Sequence, residues 1–225
     1  MRGQIHSVFN PTLIEIFDFM TPEECDGFLE EIKRLGIMKP APTIHDDYKT
    51  GEKSEKITDY RTNEFGFVRY SESPMAREFL IRASQTLQIH WSQAENLQIV
   101  HYQKGQEYKA HKDAFDLRSK RMDGKTPAEK GNRVATALMY LNDDFEGGGT
   151  TFNWFNRTIT PEKGKLVVFS DTYIGTQVPD PNSMHAAEPV VTGEKWAVNL
   201  WFRNREDTNL NYKEWLKERD IELEK

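Results

Sequence analysis

From Leu97 to Arg203 the sequence breaks into about eight short apolar runs separated by Gly, Pro and charged residues. Such a succession of short strands fits a two-sheet antiparallel barrel or jelly roll. In the first run Leu97, Ile99 and His101 alternate with Gln98, Val100 and Tyr102, the period of a strand. Lys104-Gly105-Gln106 is a turn, and residues 108–113 form the next strand. Residues 134–141 are continuously apolar, which places that strand centrally. Gly147-Gly148-Gly149 gives a tight turn that lets another chain segment approach the backbone. No Gly-Lys-Ser/Thr follows, so it is not a phosphate loop. Residues 157–160 and 165–169, joined by Pro161-Glu162-Lys163-Gly164, read as a hairpin. Two further strands cover 185–191 and 195–203, after an irregular loop over 172–183.

Two helices precede this region. Thr21-Pro22-Glu23-Glu24 carries an N-cap, a proline at the first helical position and a capping box. Phe28, Leu29, Ile32 and Leu35 make the buried stripe, and Gly36 ends the helix. Cys25 falls in its first turn, as a small packed residue. The second helix spans about 74–90, capped by Ser73, with Met75, Phe79, Ile81, Ala83, Leu87 and Trp91 as apolar positions. Residues 39–58 read as a loop. Residues 116–132 are charged and glycine-containing, either a lid or a passive surface insert. Tyr212, Trp215 and Leu216 suggest a C-terminal helix over about 211–222. The chain is expected to be one domain over 1–225: helical support over about 12–92, a catalytic core over about 97–205, and that last helix.

Composition narrows the function classes. With 225 residues and 37% hydrophobic content, including 13 Phe, 8 Tyr and 5 Trp, the chain can bury a substantial core. No apolar run approaches a membrane span. The net charge of −6 argues against a general nucleic-acid coat. One cysteine rules out an internal disulfide, and the first residues lack the apolar stretch of a secretory signal, so a cytoplasmic location is expected.

The chemistry concentrates at His111-Lys112-Asp113. Residues i and i+2 of a strand share a face, which sets an imidazole beside a carboxylate. A second histidine would give two His and one carboxylate on one side of a metal, with the opposite side open, the arrangement of non-haem Fe(II) oxygenases. Of the remaining histidines, His6 lies near the terminus, His45 in the loop, His90 at a helix end, and His101 only ten residues before His111. His185 starts a distant strand and is the candidate third ligand. Ten residues after it comes Lys195, at the start of another apolar strand.

The order His-x-Asp, distant His, then Lys resembles the Fe(II)- and 2-oxoglutarate-dependent dioxygenases, within them the collagen-type, bacterial and viral branch of the prolyl 4-hydroxylases. The resemblance covers roughly 13–205. It is carried by the segments 101–113, 138–143, 146–152 and 185–196, in that order. It implies a mainly β fold with supporting helices, a double-stranded β-helix or jelly-roll core. It implies Fe(II) held by His111, Asp113 and His185, and 2-oxoglutarate whose far carboxylate pairs with Lys195. Tyr140 and Thr151 match positions that place hydroxyls near that carboxylate, and Tyr102 matches a tyrosine that bonds the cosubstrate. Arg61 and Trp201 match residues of the substrate groove, suited to an extended proline-containing peptide. The implied reaction uses O2 and couples decarboxylation of 2-oxoglutarate, to succinate and CO2, with hydroxylation of peptidyl proline. L-ascorbic acid is the expected stimulant. Three other readings stay open: the same chemistry on another residue, a small molecule or an alkylated base; a jelly-roll binding module without catalysis; and a zinc hydrolase, which leaves Lys195 unexplained.

Overall fold

A computed structural model describes residues 4–10, 13–46, 53–56, 58–117 and 131–205. Strands β1 (Gln4–Asn10) and β2 (Leu13–Phe17) precede helix α1 (Pro22–Leu35). Strands β3 (Lys39–Pro40), β4 (Thr43–Asp46), β5 (Lys53–Lys56) and β6 (Glu64–Val68) lead to α2 (Pro74–Leu87). Then follow β7 (Leu97–Tyr102), β8 (Tyr108–His111), β9 (Arg133–Tyr140), β10 (Glu146–Gly147) and β11 (Thr150–Phe152). After them come β12 (Arg157–Ile159), β13 (Leu166–Ser170), β14 (His185–Ala187), β15 (Val190–Thr192) and β16 (Lys195–Arg203).

The strands form an eight-stranded sheet, ordered β1-β2-β13-β9-β16-β7-β6-β3, and a four-stranded sheet, ordered β12-β11-β14-β8. Together they make the expected jelly roll. The large sheet is covered on both faces, which explains its nearly continuous apolar strands. On one face Leu97, Ile99, Ala137, Met139, Val198 and Leu200 pack against Phe28 and Ile32 of α1 and Phe79 and Leu80 of α2. On the other, Val100, Tyr102, Leu138, Tyr140, Val167 and Phe169 face Phe152 and Ile159 of the small sheet.

Local signals set the helices. Thr21 accepts from the Glu24 N–H, and Glu24 reaches back to the Thr21 N–H, closing the capping box. Gly36 takes the left-handed conformation that ends α1. Cys25 is buried against the sheet. Helix α2 is shorter than its pattern suggests. Gln88 adopts a left-handed backbone, and His90 instead caps a 3₁₀ turn over Trp91–Gln93. Leu80, rather than Ile81, is the buried position.

Four other expectations change. The stretch read as a loop over 39–58 contains β3, paired with β6, and the β4–β5 hairpin that carries His45. His6 belongs to β1, which pairs with β2. Strands β12 and β13 do not form a hairpin: β12 pairs with β11 in the small sheet, and β13 pairs with β2 and β9 in the large one. The 161–164 segment is a corner between sheets, fixed where the Gly164 carbonyl accepts from Phe19 N–H and the Gly164 N–H donates to Tyr140. The run 185–191 divides at Glu188 and Pro189, since proline has no N–H for a ladder, and β15 leaves to pair with β10. Most of the 116–132 segment and all of the 211–222 helix lie outside the described residues. Among those described, no helix is long and apolar enough to cross a membrane.

The corner gives a stability test. Thr21→Ala should cost about 1 kcal/mol, the usual loss of a cap. Gly164→Ala should cost more. Gly164 has a φ of +80°, and an added Cβ would lie 2.1 Å from the Met20 carbonyl oxygen. Urea unfolding of both variants checks the order; a Gly164→Ala protein as stable as the parent would contradict this reading of the corner.

Candidate active site

Strands β8 and β14 pair antiparallel with His185 directly opposite His111. Their rings lie 4.4 Å apart. Asp113 follows two residues after His111, in a bend beyond the end of β8 rather than on the strand. It still reaches both imidazoles: Oδ1 is 3.8 Å from His111 Nε2, and Oδ2 is 3.8 Å from His185 Nε2. One donor atom from each of the three residues falls within 4.8 Å of the others.

Both imidazoles are oriented in the same way. His111 Nδ1 lies 2.9 Å from the Lys109 carbonyl and His185 Nδ1 lies 2.8 Å from the Ser183 carbonyl. A carbonyl only accepts, so each Nδ1 carries a hydrogen and each Nε2 is the nitrogen turned toward Asp113. Tyr108 stacks on His111 at 3.5 Å, and Phe169 and Phe152 wall His185. Burial, and then the neighbouring His185, push the His111 imidazole down to about 3, which keeps it neutral. Burial opposes charge on Asp113 as well, but His185, His111 and Arg133 hold its carboxyl down at about 2. The site therefore offers two imidazole nitrogen donors and one anionic oxygen donor, facing one side.

That side opens into a cavity of about 470 Å³ between the sheets. Lys195 lies in its wall, 2% exposed, at the start of β16. Its neighbours Glu194 and Trp196 lie on the far side of the strand from the cavity, where Glu194 bonds His101 and Trp196 stacks on that ring. Lys195 Nζ donates to the Gly148 carbonyl at 2.6 Å, with the Tyr102 and Tyr140 rings 5.1 and 5.3 Å away. Among the described residues no carboxylate forms an ion pair with it. Burial brings its ammonium down to about 7. The glycine turn makes this possible. Gly148 has a φ of +62°, and a Cβ there would sit 2.8 Å from Phe145 and 3.2 Å from the Lys195 side chain.

A buried cation with one carbonyl partner calls for an anion in the cavity. The comparisons with known proteins agree. Residues 97–203 match the model of the 2OG-Fe(II) oxygenase superfamily. Prolyl 4-hydroxylase 1 of Arabidopsis thaliana is 31% identical over 212 residues, covering 88% of this chain and 70% of that protein. The chain belongs to the prolyl 4-hydroxylase family of 2OG-Fe(II) oxygenases. Prolyl 4-hydroxylase subunit alpha-2 of Gallus gallus is 33% identical over 196 residues, 87% of this chain but only 35% of that longer subunit. The fold matches the viral collagen prolyl hydroxylase of Paramecium bursaria Chlorella virus-1, solved as its 2OG complex. The TM-score is 0.67 and the identity 23%, over 87% of this chain and 97% of that one.

The family's two small molecules fit the residues present. Two imidazoles and a carboxylate suit Fe(II), and a buried ammonium suits the far carboxylate of 2-oxoglutarate. Tyr102 lines the cavity from the large sheet and Tyr140 is buried behind Thr150, and burial pushes both phenols up, so both stay protonated. Thr151 is a correction. Alternation along β11 turns it away, to bond Thr158 at 2.8 Å, and brings Thr150 to the cavity, where it bonds the Tyr140 hydroxyl at 2.7 Å. Arg61 and Trp201 both line the cavity. The Arg61 guanidinium lies over the Tyr108 ring at 4.6 Å and donates to Asn63 at 2.9 Å. Trp201 carries the Arg133 guanidinium 3.5 Å above its ring, and Arg133 pairs through two nitrogens with partly buried Glu95. Sequence reading missed Arg133, Thr136 and Thr150. A threonine inside the apolar 134–141 run was the one available signal.

The depressed Lys195 makes a prediction about pH. Its folded value is near 7 and its ordinary value near 10.5, so between them the unfolded chain binds the extra proton. Stability of the ligand-free protein should therefore rise with pH across that window. Lys195→Met should remove this part of the slope. Urea unfolding of parent and variant at about pH 7 and about pH 10 measures it; equal slopes would show that Lys195 is not held as a buried, proton-shedding amine.

Proposed function

We propose that this chain is an Fe(II)- and 2-oxoglutarate-dependent peptidyl-prolyl 4-hydroxylase. One observation carries the reading: a His, Asp, His cluster closes one part of a cavity whose wall holds a buried, carboxylate-free lysine. In this reading His111 Nε2, His185 Nε2 and Asp113 hold the metal. When bound, Fe(II) and 2-oxoglutarate supply the O2-dependent oxidation that yields succinate and CO2 and places a hydroxyl on a substrate carbon.

The chain's own residues bind, orient and exclude. Lys195 pairs with the far carboxylate and fixes how deep the cosubstrate sits. The Tyr140 and Thr150 hydroxyls, already bonded to each other, add a donor to that carboxylate, and the Tyr102 hydroxyl donates from the adjacent strand. The Lys109 and Ser183 carbonyls keep the two imidazoles in the metal-binding tautomer. Apolar walls, Leu138, Val100 and Ala197 among them, keep bulk water from the reacting atoms. Along the cavity wall Tyr60, Arg61, Tyr108 and Trp201 offer aromatic faces and a guanidinium to an extended peptide. L-Ascorbic acid belongs to the proposal as a stimulatory reductant, on the family resemblance, and a cytoplasmic location on the single buried cysteine.

Two measurements test it. Incubation with proline-rich peptides, Fe(II), 2-oxoglutarate and ascorbate should add one oxygen to a proline ring, located by fragmentation mass spectrometry, with matching succinate. His111→Ala should abolish it. Oxygen added to another residue, with the same succinate yield, would retain the oxygenase and reject proline as substrate. Second, Lys195→Ala should weaken 2-oxoglutarate binding by roughly 30-fold or more, since breaking a buried charge pair costs about 2–5 kcal/mol. Thr150→Val should weaken it less, and Thr151→Val should leave it unchanged. Tight binding by Lys195→Ala would place the cosubstrate elsewhere.

A further inference from the structure

The two histidines of the cluster sit on paired strands, but Asp113 does not. It lies in a bend after β8, so no ladder bond sets its side chain. What reaches it comes from the opposite sheet. Thr136 of β9 lies with Oγ1 2.8 Å from Asp113 Oδ2. The same Oγ1 lies 3.0 and 2.9 Å from the two carboxyl oxygens of Asp171. Asp171 directly follows β13 and is fully buried. Its backbone is fixed on both sides: its N–H donates to Val134, and its carbonyl accepts from the Asp180 N–H, both at 3.0 Å. Its carboxyl group makes no ion pair among the described residues, and Thr136 is its hydrogen-bond partner there.

One hydroxyl has one hydrogen, so it can donate to only one of two carboxylates. Were both ionised, one would face an oxygen lone pair in a buried site, leaving a buried acceptor unsatisfied. Asp113 has two imidazoles beside it and faces the cation position. Asp171 has neither.

We propose that Asp171 and Thr136 form a positioning relay for the metal: Asp171, as the neutral acid, donates to Thr136 Oγ1, and Thr136 donates to Asp113 Oδ2, leaving Oδ1 for the cation. The environment supports this assignment of the proton. Burial, and next the charge of Asp113, raise the Asp171 carboxyl well above the usual range, against the Thr136 bond and Arg133. The relay ties the ligand that lies off the strands to two central strands of the large sheet, β9 and β13, whose Ala135 and Ser170 are paired. Without it Asp113 could rotate both oxygens to the metal and close a position the reaction needs open.

This rests on the reading of Asp113 as a metal ligand, and the experiment separates the two. Metal-free protein is titrated with Mn(II), with thermal unfolding recorded for each variant. His111→Ala is the control. Thr136→Val and Asp171→Leu should bind Mn(II) about 10- to 100-fold more weakly than the parent, the usual cost of losing a group that orients a ligand. Thr136→Ser restores the hydroxyl, and Asp171→Asn restores an uncharged N–H donor; both should bind within roughly threefold of the parent on the same scale. If His111→Ala loses Mn(II) while Thr136→Val keeps parental affinity, the relay is wrong and the ligand set stands. If Asp171→Asn is as weak as Asp171→Leu, the acid is not the donor and the proposal falls. If His111→Ala binds as the parent does, the ligand set itself fails. Should Asp171→Leu not fold, the Thr136→Val and Thr136→Ser pair decides alone.

Discussion

The register of β14 on β8 is the constraint on which the site depends. His185 lies opposite His111, so two imidazoles from chain positions far apart meet across one antiparallel ladder. A slip of one residue would turn one of them to the outer face of the small sheet. The neighbours of β14 hold that register: Phe152 of β11 pairs with His185, and Thr150 pairs with Ala187. The same three-residue β11 therefore positions a metal-site ring with one end and offers a cavity hydroxyl with the other.

The second constraint is electrostatic. The cavity joins an anionic corner at Asp113, with two imidazoles beside it, to a cationic one at Lys195, which pairs with no carboxylate among the described residues. Such an arrangement costs folding free energy in the empty protein. It is reasonable only where ligands of the opposite charges complete it, here a divalent cation and a dicarboxylate. The large sheet bears this cost through its two covered faces. Helices α1 and α2 seal one side with Phe28, Ile32, Phe79 and Leu80, so the inner side can carry polar groups.

Much of this was legible in the sequence because it rests on short-range rules. The α1 capping box, the Gly36 stop, the central apolar run of β9 and the strand that carries His111 all follow from spacing. The jelly roll followed from strand count and from resemblance. What failed involved choices that sequence distance does not encode. The 161–164 segment resembles a hairpin turn, but its flanking strands join different sheets, because β12 gains pairing from β11 and β13 from β9 and β2. Resemblance points to Thr151 while the structure brings Thr150 to the cavity, because the face of a three-residue strand depends on its register, which two adjacent threonines leave undetermined. The polar short strands of 39–58 carry no apolar period to reveal them. Thr136 and Asp171 could not be joined, since the contact depends on the approach of a bend to a sheet.

The central claim is that one cavity holds a metal at one place and a dicarboxylate at another, each by the residues named. The direct test is a crystal structure with Mn(II) and 2-oxoglutarate bound. The account predicts the metal on His111 Nε2, His185 Nε2 and one Asp113 oxygen, with the far carboxylate of 2-oxoglutarate on Lys195 Nζ. A metal bound away from the two imidazoles, or a cosubstrate whose far carboxylate rests on another group while Lys195 stays on the Gly148 carbonyl alone, would contradict it.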